Sequence, residues 1–347
     1  MILCDAVYIN ESGGKVLFEY FVKNLIATGF VSKYFFLCDS RLESKLFSEI
    51  NSKQLLLIEA SEGNRRKFYK KHEKVISKVF CFANVPPPVK IFNKDVYILF
   101  HNALILDNKN MYYDIKSQIK FFLKRLYIRS RTDIKYKWIV QTKNMSRLLS
   151  QALNVPLSSI QIIPFYEKNG FKGVNKGLKT NNGNYLYVAD GVKQKNHLKL
   201  LAAWELVNSQ YNIPITLHLT VPPKYLALID EIERLKRNGL LIVNHGHCSF
   251  YELKTLYTNC NYFITPSLAE SFGLPLIESA EAGCEIIAAD LEYVKDIVIP
   301  LATFDPHNEE DIAEKIVQTQ MEVYTGKTRL IITNKINILI NIITNYV

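Results

Sequence analysis

The chain has 347 residues, 48% of them hydrophobic and 22% charged, and a formal net charge of +10. That length supports two Rossmann-sized domains, and that composition excludes an intrinsically disordered chain. The opening MILCDAVYIN has no basic n-region or cleavage site, and no apolar run reaches the ~18 to 20 residues of a membrane span, so a cytoplasmic protein is expected.

The N-terminal half alternates β-rich runs with helical patterns. ILCDAVYI, KYFFLCD, LLLIEA, KVFCFA, VYILFHN and WIVQT read as strands, and helices are predicted over 16–27, 64–77, 113–130 and 144–152. Strands apolar on both faces that alternate with helices predict a parallel sheet covered on both sides. The texture then changes to NGFKGVNKGLKTNNGN, rich in Gly, Asn and Lys without an apolar period, and predicts a solvated linker over 169–183. A second alternation follows, with strands in YLYVAD, ITLHLTV, LLIVNHG, YFITPS and EIIAAD. Its helices are predicted over 197–209, 224–237, 250–258, 275–282 and 309–319. The last segment, LIITNKINILINIITNYV, is broken by Asn, Lys and Thr and reads as an amphipathic or core helix. The expected organisation is α/β, with Rossmann-like domains over 1–168 and 184–325 and a terminal helix over 326–347. Such pairs bind ligands between the domains, at the carboxyl ends of the strands.

Charge is concentrated in the first half. Residues 113–150 hold ten bases against two acids, a local excess of +8, and Arg65, Arg66, Lys67, Lys70, Lys71 and Lys74 form a second basic helix. An anionic partner is expected there: a membrane face, a phosphorylated lipid or a nucleic acid. Along 113–130, Ile115, Ile119, Phe122 and Leu126 form one stripe and Lys116, Lys120 and Lys124 another. This fits a helix lying on an anionic membrane, or equally a core-facing helix with a solvated basic back. The six cysteines are scattered without a CxxC pair and read as small buried hydrophobes. His245-Gly246-His247-Cys248 has no matching second ligand pair, so no metal site is expected.

The most informative segment is TPSLAESFGLPLIESAEAG, residues 265–283: a strand, a Pro-containing turn, a glycine-bearing loop and a helix. Pro275 suits a first helical turn, where its missing N–H costs nothing. Backbone N–H groups around Gly273 then point from the helix start towards an anion, and a diphosphate would sit well there. Glu278, about one turn in, is placed to reach a ribose, and Glu270 a sugar hydroxyl. Each feature taken singly also fits a capping Glu on an ordinary βα unit.

This segment resembles the retaining glycosyltransferases of family 4, which have the GT-B fold and the hallmark E-x-F-G-x-x-x-x-E. Here it stands intact from Glu270 through Ser271, Phe272, Gly273 and Leu274 to Glu278. The resemblance implies that Glu270 contacts the transferred sugar, that the Phe272 to Leu274 amides and Ser271 line the donor-phosphate loop, and that Glu278 holds the ribose. In YLYVADGVKQKNHLKLLAAW, residues 185–204, Lys195 takes the place of the family's diphosphate-binding lysine. Many relatives carry an Arg just after the strand. This chain has Ala189 and Asp190 instead, with Lys193 as the available substitute. Gly13 and Gly14 match the Gly-rich first loop, and His101 resembles the family's His near the transferred sugar. Phe304-Asp305-Pro306 extends the likeness.

The implied reaction is metal-independent transfer from a nucleotide sugar with retention of configuration, and no cofactor; the lack of an Asp-x-Asp motif agrees. Taken with the basic helices, it implies a lipid-linked saccharide acceptor, bacterial surface-polysaccharide or O-antigen synthesis, and peripheral attachment to the inner membrane face. Two rival readings also fit parts of the sequence. A nucleic-acid-binding protein would fit the charge but lacks any recognised motif and is not expected. An epimerase or a pyridoxal-phosphate phosphorylase would share the fold.

Overall fold

The computed structural model describes residues 1–91, 93–107, 113–168 and 183–345. The expected linker, apart from Gly183, lies outside these residues. The chain divides into two compact units, Met1–Glu167 with Thr333–Val347, and Lys168–Ile332.

The first unit is built on a parallel sheet of β1 (Ile2–Ala6), β2 (Tyr34–Asp39), β3 (Leu55–Ile58), β4 (Lys78–Cys81), β5 (Asp95–Leu99), β6 (Lys137–Val140) and β7 (Ile160–Ile162), ordered β3-β2-β1-β4-β5-β6-β7. Its helices are α1 (Ser12–Ala27), α2 (Glu62–His72), α3 (Ala103–Leu106), α4 (Ile115–Arg131) and α5 (Lys143–Leu153). Strands β1 and β4 are buried along their whole length, as a sheet covered on both faces requires. Strand β3 departs from the expected doubly buried pattern: Leu56 and Leu57 are 40% and 43% exposed, because β3 is the sheet's edge.

The second unit has β8 (Asn184–Tyr187), β9 (Thr216–Leu219), β10 (Ile242–Asn244), β11 (Tyr262–Thr265), β12 (Glu285–Ala289), β13 (Val298–Ile299), β14 (Ala302–Phe304) and β15 (Arg329–Leu330). Six of these form a parallel sheet ordered β10-β9-β8-β11-β12-β14, while β13 and β15 pair antiparallel. Its helices are α6 (His197–Tyr211), α7 (Leu226–Arg237), α8 (Phe250–Asn259), α9 (Leu274–Glu281), α10 (Glu292–Lys295) and α11 (Glu309–Gln320). Tyr185 on β8 stacks on Tyr262 of β11 at 4.7 Å and shares a hydrogen bond with Thr319 of α11, so one aromatic layer joins sheet and helix.

The expected terminal helix is shorter than 326–347. Arg329 and Leu330 belong to β15 in the second unit, and the helix, α12 (Ile336–Thr344), packs with the first. The cause is a four-residue apolar stripe, Ile336, Leu339, Ile340 and Ile343, which buries one face. Thr344 Oγ1 lies 2.8 Å from the Tyr34 hydroxyl, and Lys78 Nζ donates to the Asn345 carbonyl at 2.8 Å.

In both large sheets the strand order reverses beside the first strand of the unit. Loops leaving β1 and β4, and those leaving β8 and β11, flank these switch points at the carboxyl ends, where open α/β sheets bind ligands. Among the described residues no helix is long and apolar enough to cross a membrane.

Candidate functional site

In the second unit the loops after β8 and β11 are stitched together by side chains. Tyr187, at the end of β8, donates its hydroxyl to the Lys195 carbonyl at 2.6 Å and so accepts from Ser267 Oγ at 2.8 Å. The Tyr293 hydroxyl donates to the Ser267 carbonyl at 2.9 Å, and the Leu268 N–H to the Gln194 carbonyl at 2.8 Å. Asn196 has the left-handed backbone its side chain tolerates (φ 58°) and stands at the N-cap of α6, yet it does not cap that helix. Its amide instead donates to the carbonyls of Pro266 (3.2 Å) and Pro306 (2.7 Å), which fixes the loops at three strand ends.

This framework brings Lys195 and Glu270 together. Lys195 ends a short 3₁₀ turn before α6, and its ammonium lies 2.5 Å from the Glu270 carboxylate. A cation at a helix start is unfavourable unless an anion lies beside it, and here Glu270 is that anion. Both side chains keep about a fifth of their surface open (19% and 18%), so solvent or a ligand reaches the pair. The other base of that turn, Lys193, is exposed, and its ammonium has no partner among the described residues.

Beyond Glu270 the chain passes the partly buried Ser271 and the buried Phe272 to Gly273, the N-cap of α9. Gly273 is in the left-handed region (φ 62°), and a Cβ there would stand 3.2 Å from the δ-carbons of Ile297 and Leu276, so the tight turn into α9 requires glycine. No side chain caps α9. The N–H groups of Gly273 and Leu274 therefore have no protein acceptor among the described residues. Pro275 follows in the first turn, as expected. The recess bounded by Glu270, Gly273, Tyr187 and Tyr293 holds only about 10 Å³, room for one water, so a larger ligand lies over it rather than in it.

Glu278, one turn into α9, accepts from the Tyr257 hydroxyl at 2.8 Å. Burial first, and the Glu278 charge second, hold the Tyr257 phenol well above its usual range, so it stays a donor and orients the carboxylate. His197, in the first turn of α6, packs against Tyr187 with ring centroids 4.9 Å apart and tilted by 42°, and neither of its ring nitrogens has a partner among the described residues. Burial, then the Lys195 charge, depress its pKa to about 3, which keeps the ring neutral.

In the first unit the structure brings together Gly14 and His101. A Cβ on Gly14 would lie 3.2 Å from His101 Cε1, so glycine lets the start of α1 pass against the imidazole. Gly13 is exposed in the same turn. The His101 N–H donates to Asn84 Oδ1 at 2.6 Å, and its Nε2 lies 3.1 Å from the Phe82 carbonyl, which places the ring proton on Nε2 and leaves Nδ1 an acceptor. Burial lowers its pKa to about 4.

Sequence reasoning missed Tyr187, Asn196, Tyr257 and Tyr293, whose only signal was an aromatic or Asn within an otherwise ordinary strand, cap or helix. Arg65 is corrected: it is not part of an exposed basic face but fully buried, paired with Asp5 at 2.8 Å. His245, singled out with Cys248, pairs with His218 at 3.0 Å, and among the described residues no three potential ligands cluster. Five of the six cysteines are buried, as expected, and Cys248 is partly exposed.

The fold is that of the GT-B glycosyltransferases. It resembles Anabaena HepE, solved in complex with UDP and glucose, with a TM-score of 0.64 over 93% of this chain and 90% of that one, at 13% identity. Residues 173–320 match the family model of glycosyl transferases group 1, which takes in Lys195 and the whole Glu270 to Glu278 motif. The chain is also 30% identical over 125 residues to the Escherichia coli serotype-specific mannosyltransferase WbdA, covering 34% of this chain but only 15% of that protein. It is 26% identical over 202 residues to the Staphylococcus aureus capsular polysaccharide biosynthesis glycosyltransferase CapH, covering 55% of this chain and 52% of the other. The chain thus matches between about a seventh and half of the length of these relatives.

Proposed function

We propose that the protein is a retaining glycosyltransferase that moves a sugar from a nucleotide-sugar donor to a lipid-linked saccharide in bacterial surface-polysaccharide or O-antigen assembly. The observation that carries this reading is the Lys195–Glu270 pair beside the open N–H groups of Gly273 and Leu274. Cleavage of the anomeric C–O bond builds positive charge on the sugar and negative charge on the departing diphosphate. Lys195 and the helix-start amides meet the second of these, and such pre-aimed donors are a large part of catalysis. Glu270 holds a hydroxyl of the transferred sugar, and Glu278, oriented by Tyr257, holds the ribose. His101 of the first unit, kept neutral by burial, is a polar group able to meet a sugar hydroxyl. The acceptor oxygen bonds to the anomeric carbon on the face the diphosphate leaves, and its proton passes to the leaving phosphate oxygen.

No divalent cation is needed in this reading, since Lys195 and the amides supply the positive field. The mannosyltransferase and capsular relatives support the polysaccharide setting. The test is transfer from a panel of nucleotide sugars to lipid-diphosphate-linked saccharides, with and without a chelator. Glu270→Ala is expected to cost about 10²- to 10³-fold in turnover, with melting temperature unchanged. Undiminished turnover would remove the site assignment. Sugar conversion without any acceptor would favour an epimerase instead.

A further inference from the structure

The sequence left two orientations open for the basic helix α4: apolar stripe to the core, or apolar stripe to the outside. The structure has it outside. Ile115 is 74% exposed, Ile119 52%, Phe122 51%, Leu123 57% and Leu126 44%. At about 100° per residue these five fall within roughly 100° of arc, a continuous ridge along a helix about 25 Å long. The helix packs on the domain through its other side, where Ile128 is buried and Phe121 rests on the core. A single exposed Leu or Phe is ordinary, but a full apolar face turned away from the protein is not.

The charges around the ridge say what covers it. On the same wheel Lys116, Lys120, Lys124 and Arg131 border one side and Arg129 the other, while no acid stands on the helix. The Tyr127 hydroxyl bonds to Glu62 and so ties α4 to α2, whose Arg66, Lys67, Lys70 and Lys71 are exposed and extend the basic surface. An acidic nucleic acid would answer the lysines and leave the ridge in water. An apolar protein groove would answer the ridge and leave the lysines unmatched. An anionic bilayer answers both, with acyl chains taking the ridge and headgroups the bases.

We propose that α4 is a monotopic membrane anchor that lies in the headgroup plane of an anionic bilayer, with Ile119, Phe122, Leu123 and Leu126 inserted. The inference stands on the exposed ridge and its basic flanks. It deepens the lipid-linked acceptor reading, since it would hold the first unit at the surface where such a substrate resides.

The test is co-sedimentation of the full chain with phosphatidylcholine vesicles, with and without phosphatidylglycerol, at low and high salt. Wild type is expected to bind the anionic vesicles and to keep part of that binding at high salt. The pair Phe122→Ser with Leu126→Ser, at exposed positions that leave the fold intact, is expected to bind at least about tenfold more weakly, as is Lys116→Gln with Lys120→Gln and Lys124→Gln. A Leu123→Trp variant is expected to shift its emission to the blue on binding. Absence of wild-type binding, or unimpaired binding by the serine pair, overturns the proposal. So does a lipid-free dimer that the serine pair dissolves, since the ridge would then belong to a second copy. Nucleoside diphosphate binding by the same variants is expected to be unchanged. Its absence in wild type would count against the transferase reading and leave the vesicle result standing.

Discussion

Each unit holds an acid–base pair near its switch point, and the two pairs are built for opposite purposes. Asp5 in β1 and Arg65 in α2 lie 2.8 Å apart with 1% of either side chain exposed. Tyr69 adds a third bond to the same carboxylate at 2.7 Å, and the Pro86 carbonyl takes another guanidinium hydrogen at 3.1 Å. Every charge is answered within the protein, so nothing is left to offer a ligand. Lys195 and Glu270 are as close, but they remain open to solvent and sit beside unpaired N–H groups. A diphosphate can take the ammonium from Glu270 and free that carboxylate for a sugar hydroxyl. Shared topology thus locates a binding edge, while the completeness of the hydrogen bonding decides whether that edge is structural or chemical.

The sealed pair gives the larger effect on stability. Arg65→Met leaves the Asp5 carboxylate buried without its partner, and a loss of about 3–5 kcal/mol in denaturant unfolding is expected. A loss below about 1 kcal/mol would mean the first pair is no more structural than a surface bridge.

A smaller, pH-dependent effect sharpens the picture of the open pair. His197, two residues on from Lys195, is buried and neutral with a folded pKa of about 3, against about 6.5 in the unfolded chain. The unfolded state therefore binds more protons between those values, and stability falls as pH drops through that window. Between pH 7 and pH 5 wild type is expected to lose about 2 kcal/mol more than His197→Phe. His101, depressed to about 4, acts in the same direction in both proteins and cancels from the difference. Identical acid limbs would contradict the burial of His197.

What the sequence made legible follows the range of the interactions. Doubly apolar runs marked the central strands, and the Glu270 to Glu278 motif with Lys195 marked the candidate site, because strand, loop and helix start are local in the chain. The partners were not local. Glu270 is 75 residues from Lys195, Glu278 is 21 from Tyr257, and Arg65 is 60 from Asp5, so the last was misread as a surface base. Amphipathic spacing gave the α4 stripe but carries no information on which side meets the core. Strands β7, β13, β14 and β15 have two or three residues each, too few for a period to emerge.

The most direct measurement is calorimetric titration of wild type and Lys195→Ala with UDP, GDP, ADP, CDP and TDP. At least one nucleotide is expected to bind wild type in a salt-dependent way, and the alanine variant to bind it at least about tenfold more weakly. Equal affinity in both proteins would mean that the anion docks elsewhere, and the role given to the loop beside Gly273 would fall with it.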